Sequence, residues 1–199
     1  MTPYWNYRKT WAVNWLPEHP ALGLLEVSSI AAGIKAVDEI LKKAPIHLLQ
    51  TGPVSGGKYL ILFSGSEEPV NQSYQHGIDI LGDWLIDHLN IPNIHHQVIP
   101  TMQGVKQVVE WDAVGVIETK SAAATIIGAD KSVKNALVEL TEIQLAQGID
   151  GKGYFVFTGS LDNVQAGIEF GSNYAKEREA FINSIIIPNP EKEFYMHMA

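Results

Sequence analysis

Three groups of residues have types and spacings that could do chemistry. Gly52-Pro53-Val54-Ser55-Gly56-Gly57-Lys58 fits G-x-x-x-x-G-K, most of a loop whose amides and lysine cradle nucleotide phosphates. Tyr59 stands where such a loop needs a magnesium-ligating Ser or Thr, and the second version of this stretch has Ala146 at its first glycine. Lys58 to Phe63 reads as a strand, whereas a phosphate loop must open a helix whose N-terminal amides face the anion. His95-His96 suggests a metal, but neighbours on a strand point to opposite faces and do not chelate one ion. Glu26 and Glu118 end matched strands, where a buried carboxylate could act as acid or base. Their duplication points instead to a structural task done once per copy, capping the next helix or pairing with a neighbour. The chain has no cysteine, which excludes disulfides, a thiolate nucleophile, cysteinyl zinc and a cysteine-held iron–sulfur cluster. No Ser-His-Asp order stands out, and the expectation is a non-enzyme with no metal and no cofactor.

The elements that position these groups are written twice. Ala21 to Ala44 returns as Ala113 to Ala136, with Gly23/Gly115, Glu26/Glu118, Ser29/Ser121, Ala31/Ala123, Ile34/Ile126, Asp38/Asp130 and Lys42/Lys134 among the identical pairs. GGKYLILFSG at Gly56 to Gly65 answers DGKGYFVFTG at Asp150 to Gly159, and Val98-Ile99-Pro100 is matched with Ile186-Ile187-Pro188. Two copies of one domain of roughly 85–90 residues follow.

In copy one, Ala21 to Val27 reads as a strand and Ser28 or Ser29 as the N-cap of a helix with the stripe Ile30, Ile34, Val37, Leu41. Pro45 ends that helix. Ile46 to Thr51 and Lys58 to Ser64 are expected to form a hairpin about a turn at Gly52–Gly57, followed by a helix from Gly65 to about Leu89. Ile94 to Ile99 is read as the last strand, stopped by Pro100. In copy two the expected order is strand 112–119, helix 121–135, strand 137–145, turn 146–151, strand 152–158, helix 161–178 and strand 182–187. The fold class is α+β: two tandem βαββαβ domains of ferredoxin-like, split-βαβ layout. The division is 1–20 as an aromatic extension, 21–101 as domain one, 102–111 as linker, 112–190 as domain two and 191–199 as tail. The extension carries Tyr4, Trp5, Tyr7, Trp11 and Trp15, expected to dock on their own domain.

The 199 residues are 46% hydrophobic and 18% charged, a composition that can bury two small cores. A net charge of −8 without a basic run makes nucleic acid and anionic membrane poor partners. No window is apolar enough to span a membrane, and the first residues lack a secretion-signal pattern.

The repeated pattern A-x-G-x-x-E-x-x-x-x-A-A-x-x-A-x-D-x-x-x-K-x-A, then a Gly-rich turn, G-K and I-P, resembles the bacterial microcompartment (BMC) shell domain. Two unpermuted copies resemble the tandem-domain shell proteins of the propanediol-utilisation type. The resemblance implies a homotrimer whose six domains form a pseudohexagonal tile. Such tiles join other shell proteins edge to edge in the cytoplasm, around encapsulated enzymes. It implies a central pore lined by Gly52, Pro53, Val54, Ser55, Gly56 and Gly57 of copy one and Gln147, Gly148, Ile149, Asp150 and Gly151 of copy two, passing small polar metabolites. Glycine suits a place where backbones crowd one axis. It also implies tile-edge roles for Lys42 and Lys134, and for Asn189, which stands where the family often has arginine. Some tandem relatives hold an iron–sulfur cluster on a pore cysteine. Ser55 occupies that place here, and a neutral hydroxyl is a poor iron ligand, which disfavours an electron-relay variant. A tandem small-ligand-binding regulatory module is the remaining alternative on fold alone.

Overall fold

The computed structural model describes residues 17–105, 112–191 and 193. The expected docking of the aromatic extension, most of the linker and most of the tail lie outside the described residues.

The first domain runs β1 (Ala21–Val27), α1 (Ile30–Lys43), β2 (His47–Val54), β3 (Lys58–Gly65), α2 (Glu67–Leu81) and β4 (Leu85–Ile91). After α3 (Val98–Met102) the order repeats as β5 (Ala113–Thr119), α4 (Ala122–Asn135), β6 (Glu139–Leu145), β7 (Gly153–Gly159), α5 (Leu161–Glu177) and β8 (Phe181–Pro188). Each domain is a four-stranded antiparallel sheet, ordered β2-β3-β1-β4 and β6-β7-β5-β8. The helix starts follow their caps: the side chains of Ser29 and Ser121 accept from the amides of Ala32 and Ala124, at 3.3 and 3.2 Å.

Alternation along the strands sorts two cores. Ala21, Leu25, Val27, Ile61 and Phe63 point to α1 and α2, packing with Ala36, Ile40 and Val70. Leu22, Leu24, Leu60, Leu62 and Leu89 point the other way, into one buried cluster with Ala122, Ile126 and Val133 of α4. The second domain's helices therefore help bury the first sheet, which is why β1 is buried along its whole length.

Two expectations for copy one are corrected. The helix ends at Leu81, where Gly82 takes φ 48°, and Leu85–Ile91 forms a strand instead. Leu81, Leu85 and Leu89 have helical spacing, but pairing with β1 in the register Leu22↔Ile91 prevails. Because Val114 pairs with Ile187 in the same way, Ile91-Pro92-Asn93 is the true counterpart of Ile187-Pro188-Asn189. Ile94 to Ile99 is accordingly not a strand. It leads into α3, where Pro100 lies in the first helical turn and needs no amide partner. This segment docks on the second domain: Ile94, Val98 and Ile99 are buried there, and Gln97 Oε1 accepts from the Leu140 amide at 2.8 Å.

Candidate functional site

The glycine-rich turns are built by different backbones. In copy one the strand β2 continues through Gly52, Pro53 and Val54, which pair with Leu60, Tyr59 and Lys58. The turn proper is the 3-10 segment Ser55–Gly57, shorter than the expected Gly52–Gly57. Pro53 is tolerated in the ladder because β2 is an edge strand. Gly56 and Gly57 adopt φ of 79° and 71°, a region that L side chains enter only at a cost. In copy two the loop carries positive φ at Ala146, Gly148, Asp150 and Gly151, and closes with the Ala146 amide donating to Lys152 O at 2.7 Å. Gln147, Gly148 and Asp150 are exposed, and Ile149 is half-buried.

The two loops touch. The Gly148 amide donates to Ser55 Oγ at 2.9 Å, although 93 positions separate them in the chain. A Cβ added at Gly151 would lie 3.6 Å from both Ser55 O and Lys58 Nζ. Eight of the eleven glycine-turn residues thus fall on two adjoining loops, and Gly52, Pro53 and Val54 end the strand that leads into the first of them.

Under each loop lies an ion pair that the sequence reading divided. Lys58, the first residue of β3, donates to Glu26 Oε1 at 2.8 Å, and Lys152 donates to Glu118 Oε1 at 3.2 Å. The glutamates are therefore partners of the Gly-Lys lysines in their own domains. The repeat of Gly57-Lys58 and Gly151-Lys152 was the signal for this. The copies differ sharply in burial: the Glu26 side chain is 0% exposed and that of Glu118 is 37% exposed. Burial pushes the Glu26 carboxyl up, while the hydrogen bond and charge of Lys58 pull it down less strongly. Glu26 Oε2 has no hydrogen-bond partner.

The P-loop-like stretch runs into β3, so its amides do not open a helix. The His95 and His96 rings lie side by side with centroids 4.3 Å apart, in a turn rather than a strand. Among the described residues no group of three or more His, Asp or Glu is arranged to hold a metal ion. Lys42 is exposed and bonded to Asp38. Lys134 reaches Asp130 at 2.7 Å and the carbonyl of Asn93, tying the exit of the first domain to α4. Asn189 follows β8 with φ 48°, its amide donating to Asp112 O at 2.8 Å. No described helix is long and apolar enough to cross a membrane.

Equivalent surfaces of the two copies are not equally covered. Ile34 on α1 is 57% exposed, whereas its counterpart Ile126 on α4 is fully buried against the first domain. Ile30 and Leu41 are exposed beside Ile34. On the sheets the asymmetry reverses: Leu89 is 3% exposed and its counterpart Ile185 is 46% exposed, with Val116 half-buried where Leu24 is buried. Parts of the domain–domain interface are thus present a second time with less cover, in the α1 stripe and at Val116 and Ile185, while Val114 and Val156, the counterparts of Leu22 and Leu62, are buried.

A model described as the BMC domain matches residues 21–94 and again 113–190. The chain is 37% identical over 178 residues to the bacterial microcompartment shell protein PduT of Citrobacter freundii, covering 89% of this chain and 97% of that one. It is 36% identical over 83 residues to the carboxysome shell protein CcmK3 of Synechococcus elongatus, covering 40% of this chain and 78% of that one. Among solved structures it is similar to a microcompartment protein from Desulfitobacterium hafniense, with TM-score 0.83, 34% identity and coverage of 89% and 99%. The fused permuted hexameric shell protein MSM0275 shares the fold, with TM-score 0.61, 16% identity and coverage of 81% and 86%.

Proposed function

The chain belongs to the BMC-domain family, matched in both of its copies, and we propose that three chains close head to tail into a ring of six domains with the paired loops at its centre. It is a structural protein of the microcompartment shell and not an enzyme.

The observation that carries the ring is the leftover interface. The first domain's α1 stripe (Ile30, Ile34, Leu41) corresponds to the α4 surface already buried within the chain. The second domain's outer sheet face (Val116, Ile185) corresponds to the surface that α4 helps cover. A second copy offers both complements. An interface joining unlike surfaces makes a ring if its rotation closes and a filament if it does not. Six domains per ring need three chains. Native mass spectrometry tests this directly: a trimer is expected, and a monomer at micromolar concentration would overturn the reading.

In such a ring the loops alternate, Ser55–Gly57 beside Gln147–Gly151, and Ser55 and Asp150 line a narrow opening. Ser55 Oγ accepts from Gly148, which leaves its own proton free to donate. A hydroxyl donor and an exposed carboxylate suit small polar or cationic solutes, with size and hydrogen bonding deciding passage. Lys42, exposed at the end of α1, lies at the tile's outer rim, where its alkyl stem covers a neighbouring shell protein while the ammonium stays hydrated. Flat hexagonal arrays under the electron microscope are the expected form of the concentrated protein.

A further inference from the structure

Between the two domains lies an open-mouthed cleft of about 330 Å³ that neither the loops nor the leftover interface accounts for. Its first-domain side contributes Glu26, Lys58 and Asp87, and its second-domain side Lys120, Arg178 and Glu179. The volume is at the small end of the range for metabolite sites, which often lie at domain boundaries.

The lining is balanced in sign but unevenly partnered. Lys58 and Glu26 form an ion pair through Oε1, so both charges are already matched. Asp87 is the carboxylate that this leaves on the first-domain side. On the opposite side, neither Lys120 nor Arg178 has an ion pair among the described residues; the Arg178 guanidinium instead lies 5.0 Å over the Tyr174 ring, also in the cleft wall. Two cations without ion pairs, against the single carboxylate of Glu179 beside them, favour an anion on that side. A purely anionic ligand would meet Asp87, and a purely cationic one would meet Lys120 and Arg178.

We propose that this cleft binds a small zwitterion, an amino-acid-sized molecule whose ammonium faces Asp87 and whose carboxylate is held by Lys120 and Arg178. The site is complete within one chain, so each copy carries it whether or not the ring forms. A ligand spanning both domains also braces the contact that aligns the two loops.

Isothermal titration of the full-length protein with L-serine tests the assignment, with acetate, ethylamine and glycerol as partial mimics. L-serine is expected to bind saturably, one per chain, and more tightly than any of the three. Lys120→Met and Arg178→Met, both at exposed positions, should each weaken it by about tenfold or more. No saturable L-serine binding would overturn the proposal. So would equal binding of acetate, ethylamine or glycerol, or binding that both variants leave unchanged. The oligomer mass, measured on the same samples, reports on the ring independently.

Discussion

The hydroxyl of Ser55 accepts a hydrogen bond from the backbone amide of Gly148, 2.9 Å away and in the other domain. It is the direct bond between two loops that follow different backbone paths. Ser55 is only half-buried, so water can replace it. Ser55→Ala should therefore cost no more than about 0.5–1.5 kcal/mol of stability. Hydrogen exchange at the Gly148 amide should quicken while the strand amides of β3 and β7 stay protected. An unchanged Gly148 rate would show that the loop is held by something else.

A charge at two matched positions separates assembly from folding. Ile126 is fully buried within the chain and Ile34, its counterpart, is 57% exposed. Ile126→Asp should unfold or severely destabilise the protein, because it buries an unpaired carboxylate. Ile34→Asp should leave the circular dichroism of the monomer intact and abolish the trimer. A trimeric Ile34→Asp protein would place the chain–chain contact elsewhere.

Much of this architecture was legible because the chain is its own comparison. Ser29 and Ser121 cap matched helices, and each copy has a glycine turn, though the first is confined to Ser55–Gly57. What stayed hidden was non-local. Leu81, Leu85 and Leu89 carry a helical spacing that strand pairing with Leu22 and Leu24 overrides, and no local signal records that pairing. The repeat itself held the correction, since Ile91-Pro92-Asn93 copies Ile187-Pro188-Asn189 more closely than Pro100-Thr101 does. The Ser55–Gly148 contact and the charged cleft arise only when two domains meet, so neither copy's sequence encodes them alone.

Glu26 gives a pH dependence with a definite sign. Burial raises its carboxyl above the ordinary 4.5, so the folded chain holds this proton at higher pH than the unfolded chain does. The stability from this group is present below 4.5 and is lost as the pH rises through the raised value. Relative to the wild type, Glu26→Gln should become progressively more stable over that window, read as the difference in Tm across a pH series. The opposite slope would mean that Lys58, and not burial, governs the carboxyl.

The repeat recommends one substitution that the packing forbids. Ala36 of α1 corresponds to Gly128 of α4, and alanine is the better helix former by about 1 kcal/mol. At Gly128, however, a Cβ would lie 2.8 Å from the carbonyl oxygen of Gly171 and 2.9 Å from the Phe155 ring. The obstacle is backbone, so it yields only if α5 moves. Yet α5 is fixed nearby, where Ser132 Oγ donates to Gly167 O at 2.8 Å. Gly128→Ala should thus destabilise the second domain by about 1–3 kcal/mol despite its helix propensity. Urea denaturation should show a lower midpoint with an unchanged slope. A raised midpoint would mean that α4 and α5 separate easily, and that their small residues serve propensity rather than close approach.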